Sequence, residues 1–319
     1  MNETRVPFQT VVEALLESKD FPRRYIQYFS DIDPSSLALL MQAWPQVKTV
    51  RKHSLLKHLE SNLESDTLVS YDDLARALLD DPDPAVRAGA IRLLAECDDP
   101  KLVPSYIKIL EADEAPSTRA EAATALGHFV MLGELEEVPQ KAHRQAEDAL
   151  LRAATSQSDT EAGRRAVESL GFSSRPEAPT LIEAAFRRAD HDWRASALFA
   201  MGRSNDDRWQ DQVLGMVLSE DLRERLAAVQ AAGELGLAAA RPILIRLLEE
   251  EGNDDIASAA IWSLSQIGGE DARTYLENLL DATDDEDQVD FLEEALENLE
   301  FTEDLERFDL MAFDPEDED

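Results

Sequence analysis

The chain alternates between short polar stretches and segments in which apolar residues recur three and four positions apart. In DDPDPAVRAGAIRLLAE, which begins at Asp80, acids and prolines precede such a segment, and Ala90 and Leu94 fall on one helical face. Asp83 can cap the first N–H groups of a helix, and Pro84 suits the first helical position because no donor is needed there. The pattern predicts a helix that begins after Asp83 and buries one apolar face.

The same pattern recurs along the chain at steps that are mostly 31 or 32 residues. With Arg87 as position zero, the eight anchors are Arg51, Arg87, Arg119, Gly163, Arg194, Arg225, Ala257 and Val289. Alanine occupies position three in six copies, and glycine occupies position eight in four copies. Another helical segment precedes each anchor, so the pattern predicts a pair of helices in every repeat, with the anchor in the second helix. Such a pair buries its apolar face only by stacking on its neighbours.

The series D-P-x-x-V-R-x-x-A-x-x-x-L from Asp83 to Leu94 resembles the HEAT repeat, especially the short bacterial form also seen in phycobilin lyase-like proteins. The resemblance spans residues 34–301 and implies an all-α, right-handed α-solenoid of about eight helix pairs. HEAT-like families include adaptors, transport receptors, lyases and DNA-repair enzymes, so the resemblance implies an architecture more than a function.

The domain organisation follows from the extent of the repeats. Residues 1–33 predict an N-terminal helical cap with a helix from about Pro7 to Ser18, and residues 34–301 predict the repeat solenoid. Residues 302–319 form an acidic tail that we expect to be flexible, with little regular structure in its last twelve residues, 308–319. The long step from 119 to 163 predicts an insertion, which we assign to a loop over residues 131–143.

Composition and charge narrow the classes of function. The 319-residue chain has a net charge of −36, and residues 281–319 hold 19 acids and one base. The electrostatic field of so acidic a chain repels nucleic acids and attracts basic proteins. By contrast, residues 34–59 contain no acid, and bases cluster at 48–58. No stretch is apolar enough for a membrane span, the N-terminus lacks the basic start of a signal peptide, and the lone Cys97 excludes an internal disulfide. We therefore expect a cytoplasmic protein.

The motifs of common enzymes are absent from the sequence. It contains no HExxH, Walker A, GxGxxG or GxSxG motif, and its five histidines share no metal-ligand spacing. HEAT-like hydroxylases use His-Glu pairs, and the sequence has no His-Glu dipeptide. We therefore predict a protein that is not an enzyme and has neither a metal nor a cofactor.

A helical wheel suggests where a partner would bind. Positions one, two, five and nine lie opposite the buried face of the second helices, and in HEAT proteins, by resemblance, that face lines a concave surface. Aromatic and arginine side chains are strong interface anchors. The candidate partner-binding residues are Phe172, Phe199, Arg203, Trp262 and Arg92. The alternative is that neighbouring repeats cover these aromatics as core.

Two further sets of residues invite a functional interpretation. The anchor arginines, Arg87, Arg119, Arg194 and Arg225, could form a ligand-binding row, but we interpret them as a structural ladder that pairs with Asp or helix C-terminal carbonyls in the next repeat. In the tail, Phe308, Leu310, Met311 and Phe313 could dock into a partner's groove. The tail could also solubilise the protein or fold onto the basic stretch at 48–57.

These observations lead to one hypothesis with two alternatives. The first is a non-enzymatic adaptor that binds a basic or extended protein on its concave face. The second is a lyase-like or chaperone-like accessory protein acting on a chromophore or a modified protein. The third is a nucleic-acid-associated protein that uses the basic patch at 48–58, against long-range repulsion from the acidic molecule.

Overall fold

Helices and the turns between them make up the described chain. The computed structural model describes residues 6–17, 21–156 and 160–312, with side chains as far as residue 304, and no strand occurs among these residues. The contacts between its residues divide the chain into two compact units, residues 1–169 and 170–319.

The first unit begins with a short cap and continues in helix pairs. Its helices are α1 (Phe8–Glu17), α2 (Pro34–Ala43), α3 (Thr49–Ser65), α4 (Asp72–Leu78), α5 (Pro84–Leu93), α6 (Val103–Ala112), α7 (Pro116–Glu134), α8 (Gln140–Thr155) and α9 (Thr160–Leu170), the last of which ends one residue into the second unit. A 3-10 helix, Arg23–Phe29, links α1 to α2. The predicted N-terminal helix is therefore present.

The second unit continues the pairwise pattern. Its helices are α10 (Glu177–Phe186), α11 (His191–Arg203), α12 (Gln210–Met216), α13 (Leu222–Glu234), α14 (Arg241–Glu250), α15 (Asp254–Ile267), α16 (Glu270–Ala282) and α17 (Glu286–Ala312). Every sequence anchor lies in the second helix of a pair, from α3 to α17. The predicted all-α fold of eight helix pairs is confirmed.

Within each unit the second helices pack on one another. α3 packs on α5 and α5 on α7 in the first unit, while α11, α13, α15 and α17 form a continuous row in the second. The alanines at position three are buried in this packing, and their exposed fraction is 0% in all six copies. The apolar period read from the sequence therefore identifies the core face.

Side-chain caps fix where the second helices begin. Asp83 accepts a hydrogen bond from the backbone N–H of Ala85, Asp190 from that of Trp193, and Asp221 from those of Arg223 and Glu224. Asn253 and Asp285 do the same for α15 and α17. Each cap satisfies backbone donors that have no partner within the helix. Asp159, the acid of the fourth copy, lies outside the described residues.

The structure differs from the sequence prediction at the insertion. The extra residues lengthen two helices: α7 continues to Glu134 and α8 begins at Gln140, so only residues 135–139 of the expected loop lie outside helices. The segment is rich in Leu, Glu, Lys and Ala, which favour helix, and Pro139 directly precedes the first residue of α8.

The last helix also extends further than expected. α17 continues to Ala312, so it includes residues 302–312 of the tail that was predicted to be flexible, and the last five of these belong to the segment for which little regular structure was predicted. Acidic residues in its first turn, Glu286 and Asp287, favour the helix because they complement its dipole. In the described part of the chain, no helix is both long enough and apolar enough to cross a membrane.

Candidate functional site

A groove of about 520 Å³ runs across α11, α13 and α15 in the second unit. Its lining residues belong mainly to positions one, two, five and nine of the second helices. They are Phe199, Leu226, Gln230, Glu234, Asp255, Ser258, Ala259, Trp262, Ser263 and Gln266. We call this surface the groove. It brings together two of the predicted partner-binding residues, Phe199 and Trp262.

Phe199, on one wall of the groove, forms a cluster with an arginine and a second phenylalanine. The Arg203 guanidinium carbon lies 4.0 Å from the ring centroid of Phe199 and 4.7 Å from that of Phe172. All three side chains are half-buried. A cation held over aromatic faces is a stable, pre-ordered surface, so a partner meeting this wall would need little side-chain ordering.

Trp262, which also lines the groove, forms a stacked aromatic pair with Phe291. The rings of Trp262 and Phe291 lie 6.4 Å apart between centroids with an interplanar angle of 26°. Both residues are half-buried. Phe291 was not among the predicted site residues, although it occupies position two of the last copy and so belongs to the same arc of the wheel.

The polar residues of the groove are mostly acceptors. Glu234 and Asp255 contribute carboxylates, and Gln230 and Gln266 contribute amides. Glu234 reaches solvent, but the groove walls partly desolvate its carboxylate and raise its pKa, while the nearby guanidinium of Arg203 opposes the shift. A cationic group of a partner would favour the ionised form of Glu234. The groove is therefore suited to ligands that combine apolar and basic groups.

Arg92, the remaining predicted partner-binding residue, belongs to the first unit and has two acidic partners. It donates to Glu60 at 2.9 Å on α3 and to Glu121 at 2.8 Å on α7. Desolvation lowers the pKa of Arg92, but the hydrogen bonds that it donates to the two carboxylates outweigh this and hold the pKa above its ordinary value. Its contacts therefore link three successive second helices.

The anchor arginines share one geometry. Each donates to the backbone carbonyl six residues earlier, at the end of the first helix of its own pair: Arg87 to Asp81, Arg119 to Asp113, Arg194 to Arg188 and Arg225 to Ser219. Three also bind an acid further along the chain: Arg87 binds Asp113, Arg194 binds Glu224 and Arg225 binds Glu251.

The basic stretch is less available than its sequence suggested. Lys52 is buried and pairs with Asp81 at 3.1 Å, Arg51 donates to the carbonyl of Leu15 at the end of α1, and His53 contacts Asp83 at 2.8 Å. Lys48 and Lys57 are exposed. Lys48, Arg23 and His58 line a separate cavity of about 430 Å³ with Phe21 and Val50.

Two remaining groups are the predicted docking residues of the tail and the histidines. The side chains of Phe308, Leu310 and Met311, and the whole of Phe313, lie outside the described residues. Among the histidines, which share no ligand spacing in the sequence, His143 lies beside Glu134 and Glu147. No sequence motif signals this cluster, because its members come from two helices that meet only in the folded chain.

Comparison with known proteins identifies the family. A family model described as HEAT repeats matches residues 71–140, 178–264 and 212–297. No curated protein matches the chain. Among solved structures, the chain is similar to phycocyanin lyase CpcE–CpcF from Nostoc, at 18% identity and a TM-score of 0.48, covering 72% of this chain and 94% of that one.

Two further solved structures are similar to this chain over most of its length. They are the Escherichia coli protein YibA, at 14% identity and a TM-score of 0.46 over 89% of this chain and 99% of that one, and Kap95p in a structure with RanGDP, at 12% identity and a TM-score of 0.42 over 92% and 41%. The family model matches more than half of this chain. Because this model matches most of the chain and each anchor lies in the second helix of a pair, the chain belongs to the HEAT-repeat family.

Proposed function

We propose that this protein is a non-catalytic adaptor that holds a basic, extended protein segment in the groove of its second unit. The observation that carries the proposal is the groove itself, where Phe199 and Trp262 stand half-buried above a row of carboxylates and amides. Large aromatic side chains that remain accessible on a folded protein are typical anchors for a partner.

Charge supports the same kind of partner. The net charge of −36 attracts basic molecules over long distances, and Glu234 and Asp255 offer carboxylates to basic side chains inside the groove. Between the aromatic walls, the apolar parts of lysine and arginine stems would pack beside Phe199 and Trp262. An acidic adaptor with one cysteine suits a reducing compartment, and we place its action in the cytoplasm.

The proposal is tested with fluorescent peptides of matched length that differ only in charge. One contains basic and apolar residues, one replaces the basic residues with Gln, and one replaces them with Glu. We expect the basic peptide to bind most tightly in fluorescence anisotropy. Phe199→Ala combined with Trp262→Ala should weaken its binding at least about tenfold, because both anchors are lost.

Phe301→Ala serves as the matched control, because Phe301 is an aromatic residue of the second unit that is 63% exposed and lies outside the groove. Trp262 offers a direct readout, since Trp44, Trp193 and Trp209 are buried and Trp262 is half-buried. A bound peptide should protect the chain from acrylamide quenching, and Trp262→Phe should abolish that protection.

Two results would overturn the proposal. If the double variant remains folded and binds every peptide as the wild type does, the groove is not the site. If the purified protein carries a visible absorbance band or retains a small molecule in native mass spectrometry, a lyase-like role takes precedence. A single-stranded oligonucleotide at low salt provides the parallel test of the exposed lysines, Lys48 and Lys57.

A further inference from the structure

Three potential metal ligands meet where α7 ends and α8 begins. Glu134 is the last residue of α7, while His143 and Glu147 lie one turn apart on the same face of α8. The Nε2 atom of His143 lies 3.5 Å from Oε1 of Glu134 and 3.7 Å from Oε1 of Glu147. All three donor atoms lie within 4.8 Å of one another.

These separations fit metal coordination better than hydrogen bonding. Both distances from His143 exceed those of a hydrogen bond. The Nε2 atom is buried, and it makes no hydrogen bond to any residue that the structure describes. Zinc binds histidine nitrogen and carboxylate oxygen at about 2.0–2.2 Å, which places tetrahedral ligands roughly 3.4 Å apart. The two measured separations are close to that edge length.

The surrounding chain is shaped to hold the imidazole in this place. A Cβ atom at Gly133 would fall on the ring of His143, closer than real Cβ atoms approach, so the ring lies directly over the glycine backbone. Glu147 is only 3% exposed. The fold therefore holds the imidazole of His143 directly beside a buried carboxylate.

We propose that Glu134, His143 and Glu147 bind one Zn²⁺ ion, with the fourth coordination position open to water. The Glu134 side chain is the most accessible of the three at 27%, so the ion enters from its side. The ion is held by the Nε2 lone pair of His143 and by the carboxylates of Glu134 and Glu147. By joining the end of α7 to α8, it clamps the enlarged repeat of the first unit.

The test uses the full chain after treatment with a chelator, titrated with ZnSO₄ by calorimetry and with CoCl₂ by visible absorbance. Surface carboxylates of this acidic chain bind cations weakly, so the informative quantities are one tight site per chain and a tetrahedral cobalt spectrum. His143→Ala, Glu147→Gln and Glu134→Gln each remove one ligand. Each should weaken Zn²⁺ binding by at least about tenfold, since even residues that only support a ligand have effects of 10–100-fold.

His128→Ala is the matched control, because His128 lies on α7 and contacts Asp98 at 2.7 Å, away from the cluster. Circular dichroism without metal checks that each variant folds, and Glu134→Gln, at the accessible edge, is the variant least able to disturb the core. The readout is also independent of the groove, so Phe199→Ala with Trp262→Ala should bind Zn²⁺ as the wild type does.

The proposal is supported if one tight site is lost in all three ligand variants and kept in His128→Ala. It is overturned if the wild type has no site tighter than its surface carboxylates. It is equally overturned if folded His143→Ala and Glu147→Gln bind Zn²⁺ unchanged, which would mean an adventitious ion only, with the imidazole acting as a simple ion-pair partner of the glutamates.

Discussion

At the scale of single residues, buried ion pairs connect one helix pair to the next. Glu224 is 2% exposed; it accepts hydrogen bonds from Arg194 at 2.5 Å and Ser219 at 2.8 Å, and it lies 2.8 Å from Nδ1 of His191. Burial alone would raise its pKa, but these donors outweigh burial and hold the pKa below its ordinary value. Glu224 is therefore a fixed acceptor on which an anchor arginine depends.

Glu224→Gln should lower the free energy of unfolding at neutral pH by about 1–3 kcal/mol, because the charged donors lose their carboxylate. Since the folded-state pKa of Glu224 is depressed, its stabilisation is complete above the unfolded pKa and disappears as pH falls through the folded pKa. The gap between wild type and variant in urea unfolding should therefore close in acid. A gap that is constant with pH, or an equal loss for the exposed Glu220→Gln, would contradict this account.

At the scale of helices, glycine allows the second helices of neighbouring repeats to approach closely. The glycines at position eight face position six of the following copy. In the second unit, Gly171 faces Ala200, Gly202 faces Ala231 and Gly233 faces Ser263. Ser263 also donates to the carbonyl of Val229 at 2.9 Å across the same contact. Small residues on both sides bring the two backbones together.

Gly233→Ala should therefore destabilise the protein, although alanine ordinarily favours helix. A Cβ at Gly233 would lie 2.7 Å from Cα and 2.8 Å from Cβ of Ser263, so the helices must separate, at a cost of about 1–3 kcal/mol. In α12, Gly215 has nothing within 4 Å of its added Cβ, so Gly215→Ala should stabilise by up to about 1 kcal/mol. Urea unfolding of both variants measures the contrast, and the same sign for both would refute the packing argument.

The helix pairs could be predicted from the sequence because the signals that define them are local. The capping residues, the alanines at position three and the spacing of the anchors each depend only on one helix and its nearest neighbour. The helical insertion at 131–143 was assigned wrongly because a break in the repeat period indicates extra residues but not their conformation. The repeat places Phe291 on the same arc of the wheel as Trp262, but the stacking of the two rings depends on a contact between separate helices. The cluster of Glu134, His143 and Glu147 likewise depends on a contact between α7 and α8, which no periodicity encodes.

At the scale of the whole molecule, charge is the dominant feature. Half of the net charge belongs to residues 281–319, while acids of the groove lie on α13 and α15. Charges spread in this way act mainly on the rate at which oppositely charged partners arrive, and salt screens them over about 10 Å at 0.1 M ionic strength.

The association rate of the basic peptide should consequently fall by about tenfold or more between low and physiological ionic strength, with a smaller change in its dissociation rate. Stopped-flow fluorescence measures both rates. The Gln-substituted peptide is the control, and its association rate should vary little with salt. Equal salt dependence for the two peptides would show that charge does not steer the encounter.

The contacts of the anchor arginines also set rules for insertions and deletions. In four pairs the guanidinium reaches the carbonyl six residues earlier, and the acid bound by Arg87 or Arg225 follows 26 residues later. A residue added or lost between the carbonyl and the anchor arginine would move the guanidinium away from both the carbonyl and the acid. Residues added between α7 and α8 disturb neither contact of Arg87. Changes in chain length are thus confined to particular connections, and the two-helix repeat can be duplicated or removed only as a whole.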